Sequence, residues 1–167
     1  YVCTRAEEQE RFRHQPVLRT DRLILRPFVL SDAAAVQRYA GQYEVADTTL
    51  SIPHPYRDGL AEEWIASQPE KFRAGEVCNC AIALSHNGEV IGGTSLSINQ
   101  CFERAELGYV IAKEHWGQGY CTEAARAMLE LAFDHLGLHK VQAHYFTRNP
   151  ASGRVMQKIG MRHEGFL

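Results

Sequence analysis

Apolar residues near the C-terminal end recur at steps of three and four. Ala125, Met128, Leu129, Ala132, Phe133 and Leu136 fall on one stripe of a helix predicted over 123–136, and Gly137 ends it. Upstream the spacing changes to two. Leu23 and Leu25 mark one face of a first strand over 22–28, and Leu107, Tyr109 and Ile111 mark another over 104–112. Between these, 77–84 and 89–98 read as a hairpin, because Asn87-Gly88 accepts the positive φ of a tight turn. Ser31-Asp32 caps a helix running to about Gly41, and 47–57, with Pro53 and Pro55, is a loop. Asp58 caps a second helix whose end Pro69 disturbs. Later come a strand over 139–146, a helix over 151–159 closed by Gly160, and the start of a strand over 161–167. The order is strand, two helices, three antiparallel strands, helix, strand, helix, strand. Three adjacent antiparallel strands argue against a doubly wound parallel sheet, where a helix would separate each pair. The fold class is α+β with a mixed sheet.

Composition narrows the picture. The 167 residues suffice for one domain, expected over 16–167 behind a polar arm at 1–15. No apolar run approaches the roughly 18 residues of a membrane span, and no signal-peptide pattern opens the chain. A net charge of -2 argues against a duplex nucleic-acid binder. The five cysteines, Cys3, Cys78, Cys80, Cys101 and Cys121, are odd in number and irregular in spacing, which reads as reduced thiols in a cytoplasmic protein. Cys78 and Cys80 share one face of a strand, with no second pair at zinc-site spacing, so no metal is expected.

The candidate chemistry lies in the loop between the 104–112 strand and the long helix. Gly117 and Gly119 let the backbone bend and let a ligand come close. The N–H groups of Gln118, Gly119, Tyr120, Cys121 and Thr122 precede a helix and lack helical partners, which makes an anion site. The helix dipole supplies ~0.3–1 kcal/mol at an exposed end. Each hydrogen bond to a charged group adds roughly 1.5–3 kcal/mol, so several could hold a diphosphate without a lysine. A plain tight turn with a helix cap is the competing reading of the local pattern. A dinucleotide fingerprint fails because Thr122 stands at its third glycine and the later acid is missing, and a P-loop fails for lack of Gly-Lys-Ser/Thr.

The segment Ala105-Glu-Leu-Gly-Tyr-Val-Ile-Ala-Lys-Glu-His-Trp-Gly-Gln-Gly-Tyr-Cys-Thr-Glu-Ala-Ala125 resembles the central motif of the RimJ/RimL branch of GNAT acetyltransferases. Leu136-Gly-Leu-His-Lys-Val141 and Asn149-Pro-Ala-Ser-Gly-Arg-Val-Met-Gln-Lys-Ile-Gly-Met-Arg-His-Glu-Gly165 resemble the motif that follows it, and Thr20-Asp-Arg-Leu-Ile-Leu-Arg-Pro27 resembles the branch's opening strand. The likeness covers nearly the whole chain in order. It implies the GNAT acyl-CoA N-acyltransferase fold, with a mostly antiparallel sheet and a splayed strand pair. It also implies acetyl-CoA as co-substrate, with the pantetheine arm in the splay beside the backbone of Val110 and Ile111. Trp116, Gly117, Gln118, Gly119, Tyr120, Cys121 and Thr122 would hold the pyrophosphate. Asn149 would bond the cofactor near its thioester end, and Lys158 and Arg154 would reach its phosphates. Relatives usually continue into a last strand, so the sheet is expected to be incomplete at Leu167. Dimerisation is an expectation from the family alone.

The implied reaction is direct attack of a neutral amine on the thioester, without metal or covalent enzyme intermediate. Glu106 is the candidate base and Ser152 the candidate acid, able to protonate the leaving thiolate. Tyr120 or Tyr145 could substitute for Ser152, and Glu164 is a further carboxylate on the acceptor side. An α-amine titrating near ~8 reaches its neutral form at pH 7 for about 1 kcal/mol, whereas a lysine near ~10.4 costs about 4–5 kcal/mol. Acceptors range from protein N-termini, as on ribosomal proteins, to small-molecule amines. A succinyl or other acyl donor stays open, as does a non-catalytic acetyl-CoA sensor. Cys121 as a nucleophile is disfavoured, since its backbone is committed to phosphate. The eight histidines, including His54, His115, His139 and His144, read as capping or packing residues.

Overall fold

The structure is a computed structural model, described here for residues 10–166. A six-stranded sheet runs β1 (Leu18–Arg19), β2 (Leu23–Pro27), β3 (Val77–Leu84), β4 (Val90–Asn99), β5 (Arg104–Ile111) and β6 (Lys140–Gln142) in spatial order. All neighbours are antiparallel except β5 and β6, which are parallel. The helices are α1 (Ala33–Ala40), α2 (Tyr43–Ala46), α3 (Leu60–Arg73), α4 (Tyr120–Glu130) and α5 (Pro150–Lys158). This is the mixed, mostly antiparallel sheet that the sequence implies.

The period-two pattern builds both faces. Leu23, Leu25, Cys78, Cys80, Ile82, Leu96 and Leu107 point to one side and bury Ala124, Ala125 and Met128 of α4. On the other side, Phe28, Ala81, Ala83 and Val90 meet Val36 and Tyr39 of α1 and Ile65 of α3. Cys78 and Cys80 are therefore core side chains. Among the described residues no three His, Cys, Asp or Glu side chains gather as a metal site would need, and no helix is long and apolar enough to cross a membrane.

Several expected elements differ. The expected arm over 1–15 is packed down from residue 10: Phe12 is buried edge-on to Phe72, 5.7 Å between ring centres, and Gln15 Nε2 donates to the Asn79 C=O at 2.7 Å. Residues 1–9, and Cys3 with them, lie outside the described residues. α3 is preceded by Gly59 at φ +83°, while Asp58 instead accepts from Gln37 Nε2 at 3.0 Å. α3 continues four residues past Pro69, because burying Ile65 and Phe72 outweighs one missing backbone bond.

The long helix begins three residues earlier than expected, at Tyr120, and ends in a wide turn over Leu131–His135 in which Leu136 N–H reaches the Leu131 C=O at 2.9 Å. The extra residue in that turn rotates the stripe. Leu131 enters the core, and Phe133, expected inside, is 44% exposed. The strand expected over 139–146 pairs only over Lys140–Gln142, and the one expected from 161 forms no ladder over 161–166. A strand persists only where a neighbour takes its backbone groups.

Asp32 was expected to cap α1. Its carboxylate instead accepts from Arg26 at 2.7 and 2.9 Å and from the Val29 N–H at 2.9 Å. Burial opposes its ionisation, but the Arg26 and Val29 bonds outweigh it and hold the carboxyl below its ordinary range. A depressed folded pKa stabilises above the unfolded value, and the contribution is lost as pH falls through the folded one. Asp32→Asn is expected to cost about 1–3 kcal/mol near pH 7. In urea titrations the gap to wild type should narrow steadily as pH drops below the carboxylate range.

Candidate active site

The β5–β6 ladder stops at the Glu106–Gln142 pair. Beyond it β5 continues five residues to Ile111 on the β4 side alone, while 143–149 diverges. One edge of β5 is thus exposed in a V between two parallel segments. Backbone direction alternates along that edge. Ala112 N–H bonds the Ile91 C=O at 2.8 Å, the Gly108 C=O accepts from Thr94 Oγ1 at 2.9 Å, and the Val110 C=O crowds Gly92. These even-numbered groups turn toward β4, so Val110 offers the V no backbone carbonyl, contrary to the expectation for it. Ile111 turns the other way, but its C=O already accepts from Trp116 Nε1 at 2.7 Å. Tyr109, by the same alternation, presents its backbone to the V.

The V opens toward the glycine loop. Gly117 and Gly119 sit at φ +75° and +82°, a region that only glycine enters without strain. The first bonded N–H of α4 is that of Glu123, to the Gly119 C=O at 3.1 Å. The N–H groups of Gly117, Gln118, Gly119, Tyr120, Cys121 and Thr122 find no backbone acceptor among the described residues. The early start of α4 makes three of them first-turn groups, where the helix dipole favours an anion.

A residue the sequence reading left out holds this loop. Arg22, at the start of β2, donates to the Gln118 C=O at 2.8 Å, pairs with Glu123 at 2.7 Å and lies 4.5 Å from the centre of the Tyr120 ring. Glu123 also accepts from Thr20 Oγ1 at 2.5 Å and the Arg22 N–H at 2.8 Å. Burial disfavours its charge, yet these bonds hold its carboxyl below the ordinary range. No local pattern marks Arg22, because its partners lie about 100 positions away.

At the V's other wall, Asn149 caps α5, its Oδ1 accepting from the Ser152 N–H at 3.4 Å, while its Nδ2 donates to no described residue. The Ser152 hydroxyl lies 3.0 Å from the Tyr109 hydroxyl, which can also donate to the Ser152 C=O at 3.0 Å. Burial, the main cause, pushes the Tyr109 phenol up to about 12, so it stays protonated at neutral pH. Tyr109 was read as a core position only. Tyr145 packs its ring against Gly153, where no larger residue fits.

A second, polar face of the cleft lies on the opposite side of the sheet. Glu106 Oε1 is 3.1 Å from His144 Nδ1, both side chains nearly half exposed. Asn79, Ser95 and Ser97 of β3 and β4, with Lys71 of α3, line the same cleft. Glu164 pairs with Lys140 at 3.2 Å on the exposed edge instead. Lys158 and Arg154 line the cleft; the Lys158 C=O accepts from Arg126 at 3.0 Å, fastening α5 to α4. Burial raises the Cys121 thiol to about 12, which removes the thiolate a nucleophile would need.

A splayed parallel pair, an N–H-rich loop at a helix start and a hydroxyl pair in the V define an acyl-CoA-dependent N-acyltransferase. Residues 22–162 match the family model of the acetyltransferase (GNAT) domain. The chain belongs to the GNAT family and is an N-acetyltransferase. It is 33% identical over 164 residues to Bacillus subtilis YoaA, described as an uncharacterized N-acetyltransferase, covering 91% of this chain and 86% of that one. Its fold is similar to a GNAT-family acetyltransferase from Bacillus anthracis, with a TM-score of 0.76 and 28% identity over 91% and 87% of the two chains. It is also similar to Mycobacterium smegmatis RimJ in complex with CoA-disulfide, with a TM-score of 0.76 and 25% identity over 87% and 72%.

Arg22→Met removes the carbonyl bond, the Glu123 pair and the ring contact, and leaves Glu123 uncompensated beside the anion site. The acetyl-CoA Kd should rise about 10-fold or more, the equivalent of one charged hydrogen bond. Calorimetry of the purified variant checks it.

Proposed function

We propose that this enzyme transfers the acetyl group of acetyl-CoA to an α-amine carried by a polypeptide N-terminus, as a RimJ/RimL-like acetyltransferase, by direct attack in a ternary complex. One observation carries the acceptor reading. Among the described residues only three carboxylates line the cleft, Asp47, Glu106 and Glu164. Arg148 bonds Asp47 at 3.3 Å and Lys140 pairs with Glu164, so Glu106 alone is free of a lysine or arginine. A polyamine, with several cationic centres, would find only Glu106 free to pair with it, and would meet Lys71 in the same cleft. A single α-amine needs one modest base, because its neutral form costs only about 1 kcal/mol at pH 7.

In this reading the loop from Trp116 to Thr122 holds the pyrophosphate on its N–H groups, and Lys158 adds a cation. The edge of β5 around Val110 and Ile111 guides the pantetheine arm, with Tyr109 and the Ile111 N–H supplying the backbone contacts. The Asn149 Nδ2 is left to bond the cofactor. Ser152 protonates the departing sulfur, and the Tyr109 phenol replenishes the Ser152 oxygen. The base for the amine comes from the opposite face, where Glu106 and His144 meet. Proximity and orientation supply much of the rate, since the V presents donor and acceptor from opposite sides of one sheet.

Thiol release from acetyl-CoA should be measured with peptides bearing free N-termini, N-blocked lysine peptides, polyamines, amino acids and aminoglycosides. Turnover is expected with free N-termini and not with polyamines. Fastest turnover on a polyamine would overturn the acceptor reading, and tight acetyl-CoA binding without turnover would point to a sensor. Ser152→Ala should lower kcat about 10²-fold, and Tyr109→Phe about 10-fold, each with the acetyl-CoA Kd nearly unchanged.

A further inference from the structure

We propose that His144 is the general base of the acetyl transfer and that Glu106 is the residue that positions it. The proposal rests on the reading of the V as the acyl-transfer site, but not on the identity of the amine. It reverses the expectation that Glu106 acts directly and that His144 only packs.

The sheet register separates the two residues by depth. Glu106 belongs to the last paired position, bounded by Ser97 of β4 and Gln142 of β6, so it stands at the apex of the V. His144 comes two residues after Gln142, where the second segment has left the sheet. Continued pairing would have set it opposite Gly108. That position has no side chain, and the Ser95 hydroxyl fills the space a Cβ would occupy. The imidazole, 41% exposed, thus flanks the opening, and the carboxylate, 49% exposed, stands at the apex with Oε1 3.1 Å from Nδ1.

A carboxylate 3.1 Å from Nδ1 favours a proton on that nitrogen, which leaves the Nε2 lone pair free to accept one. It also stabilises the imidazolium that forms. The nitrogen lone pair of the neutral amine forms the N–C bond to the acetyl carbon. The C–S bond breaks with its electron pair on sulfur. The surplus proton on nitrogen passes to Nε2 of His144, and the sulfur takes a proton from the Ser152 hydroxyl. Solvent later removes the first proton and returns the second, so the enzyme ends as it began.

Among the described residues Glu106 is the one carboxylate within 4 Å of a His144 ring nitrogen. Lys71 of α3 and Arg148 of the diverging segment line the same cleft, and Arg148 is held by Asp47 at 2.8 and 3.3 Å.

The test is steady-state kinetics of the full chain with acetyl-CoA and whichever amine the wild type turns over fastest. His144→Ala should lower kcat about 10²–10³-fold, as loss of a general base does. Its acetyl-CoA Kd should stay within about 2-fold, and added imidazole should restore rate in proportion to its concentration. Glu106→Gln should fall about 10-fold, keep an acid limb and gain nothing from imidazole. If His144→Ala cannot bind acetyl-CoA, His144→Gln takes its place with the same expectations. Wild-type kcat in the histidine variants beside a 10²-fold loss in Glu106→Gln would overturn the proposal and make Glu106 the base. A loss that imidazole does not relieve, with the acid limb unmoved, would also overturn it, since that describes a structural role. If the fastest acceptor is not an α-amine, the acceptor reading fails while these outcomes still decide the roles of His144 and Glu106.

Discussion

The chemistry of this molecule depends on a ladder that stops. β5 is paired along its whole length with β4 but with β6 only from Arg104 to Glu106. Unpaired strand edges are costly when buried and reactive when exposed. Here the edge is exposed on purpose-shaped terms: Trp116 occupies the Ile111 carbonyl, and the remaining groups face a V. Closing the ladder over 143–146 would satisfy the backbone and abolish the site. The structure prevents closure by giving those residues other attachments. Arg148 reaches across 101 positions to Asp47 and stacks 4.2 Å from the centre of the Phe146 ring, and Tyr145 packs against Gly153.

The two sides of the V are chemically distinct because a strand alternates its side chains. Tyr109 faces α4 and α5 and meets Ser152, placing protonated hydroxyls where a sulfur would leave. Glu106 and Gly108 face the other way, toward the polar side chains of β3 and β4. One strand therefore presents a hydroxyl pair on one side and a carboxylate beside an imidazole on the other, without any loop insertion. Electrostatics follow the same division. At the N–H-rich end of α4 the first-turn carboxylate, Glu123, is neutralised by Arg22. The acceptor side keeps a single uncompensated carboxylate beside an imidazole.

Much of this was legible in the chain. Period-two runs located β2 to β5 within a residue or two, and the Asn87-Gly88 turn set the central hairpin. Gly117 and Gly119 marked the anion loop because their φ values exclude other residues. Asn149 and Ser152 were singled out by the resemblance of 149–165, and a helix start brings them together. The misplacements share one cause, which is that local pattern is blind to distant partners. Asp58 lost its cap role to Gly59 because Gln37 claimed its carboxylate. Phe133 moved outward because the wide turn after Glu130 shifted the phase of the helix. Phe12 was assigned to a polar arm because no neighbour in sequence hints at Phe72.

By itself the sequence determined the family, the order of the elements and the loop whose backbone is preset for an anion. The order and the loop follow from periodicity, glycine stereochemistry and helix ends, which act over a few residues, and the family from the resemblance of the motifs over 20–27, 105–125, 136–141 and 149–165. Only the tertiary structure decided where the β5–β6 ladder ends, that Arg22 clamps the loop, that Tyr109 shares a hydroxyl contact with Ser152, and that His144 stands against Glu106. Each of those joins groups from different strands or helices. Their meeting is fixed by sheet register and twist, which no local run of residues encodes.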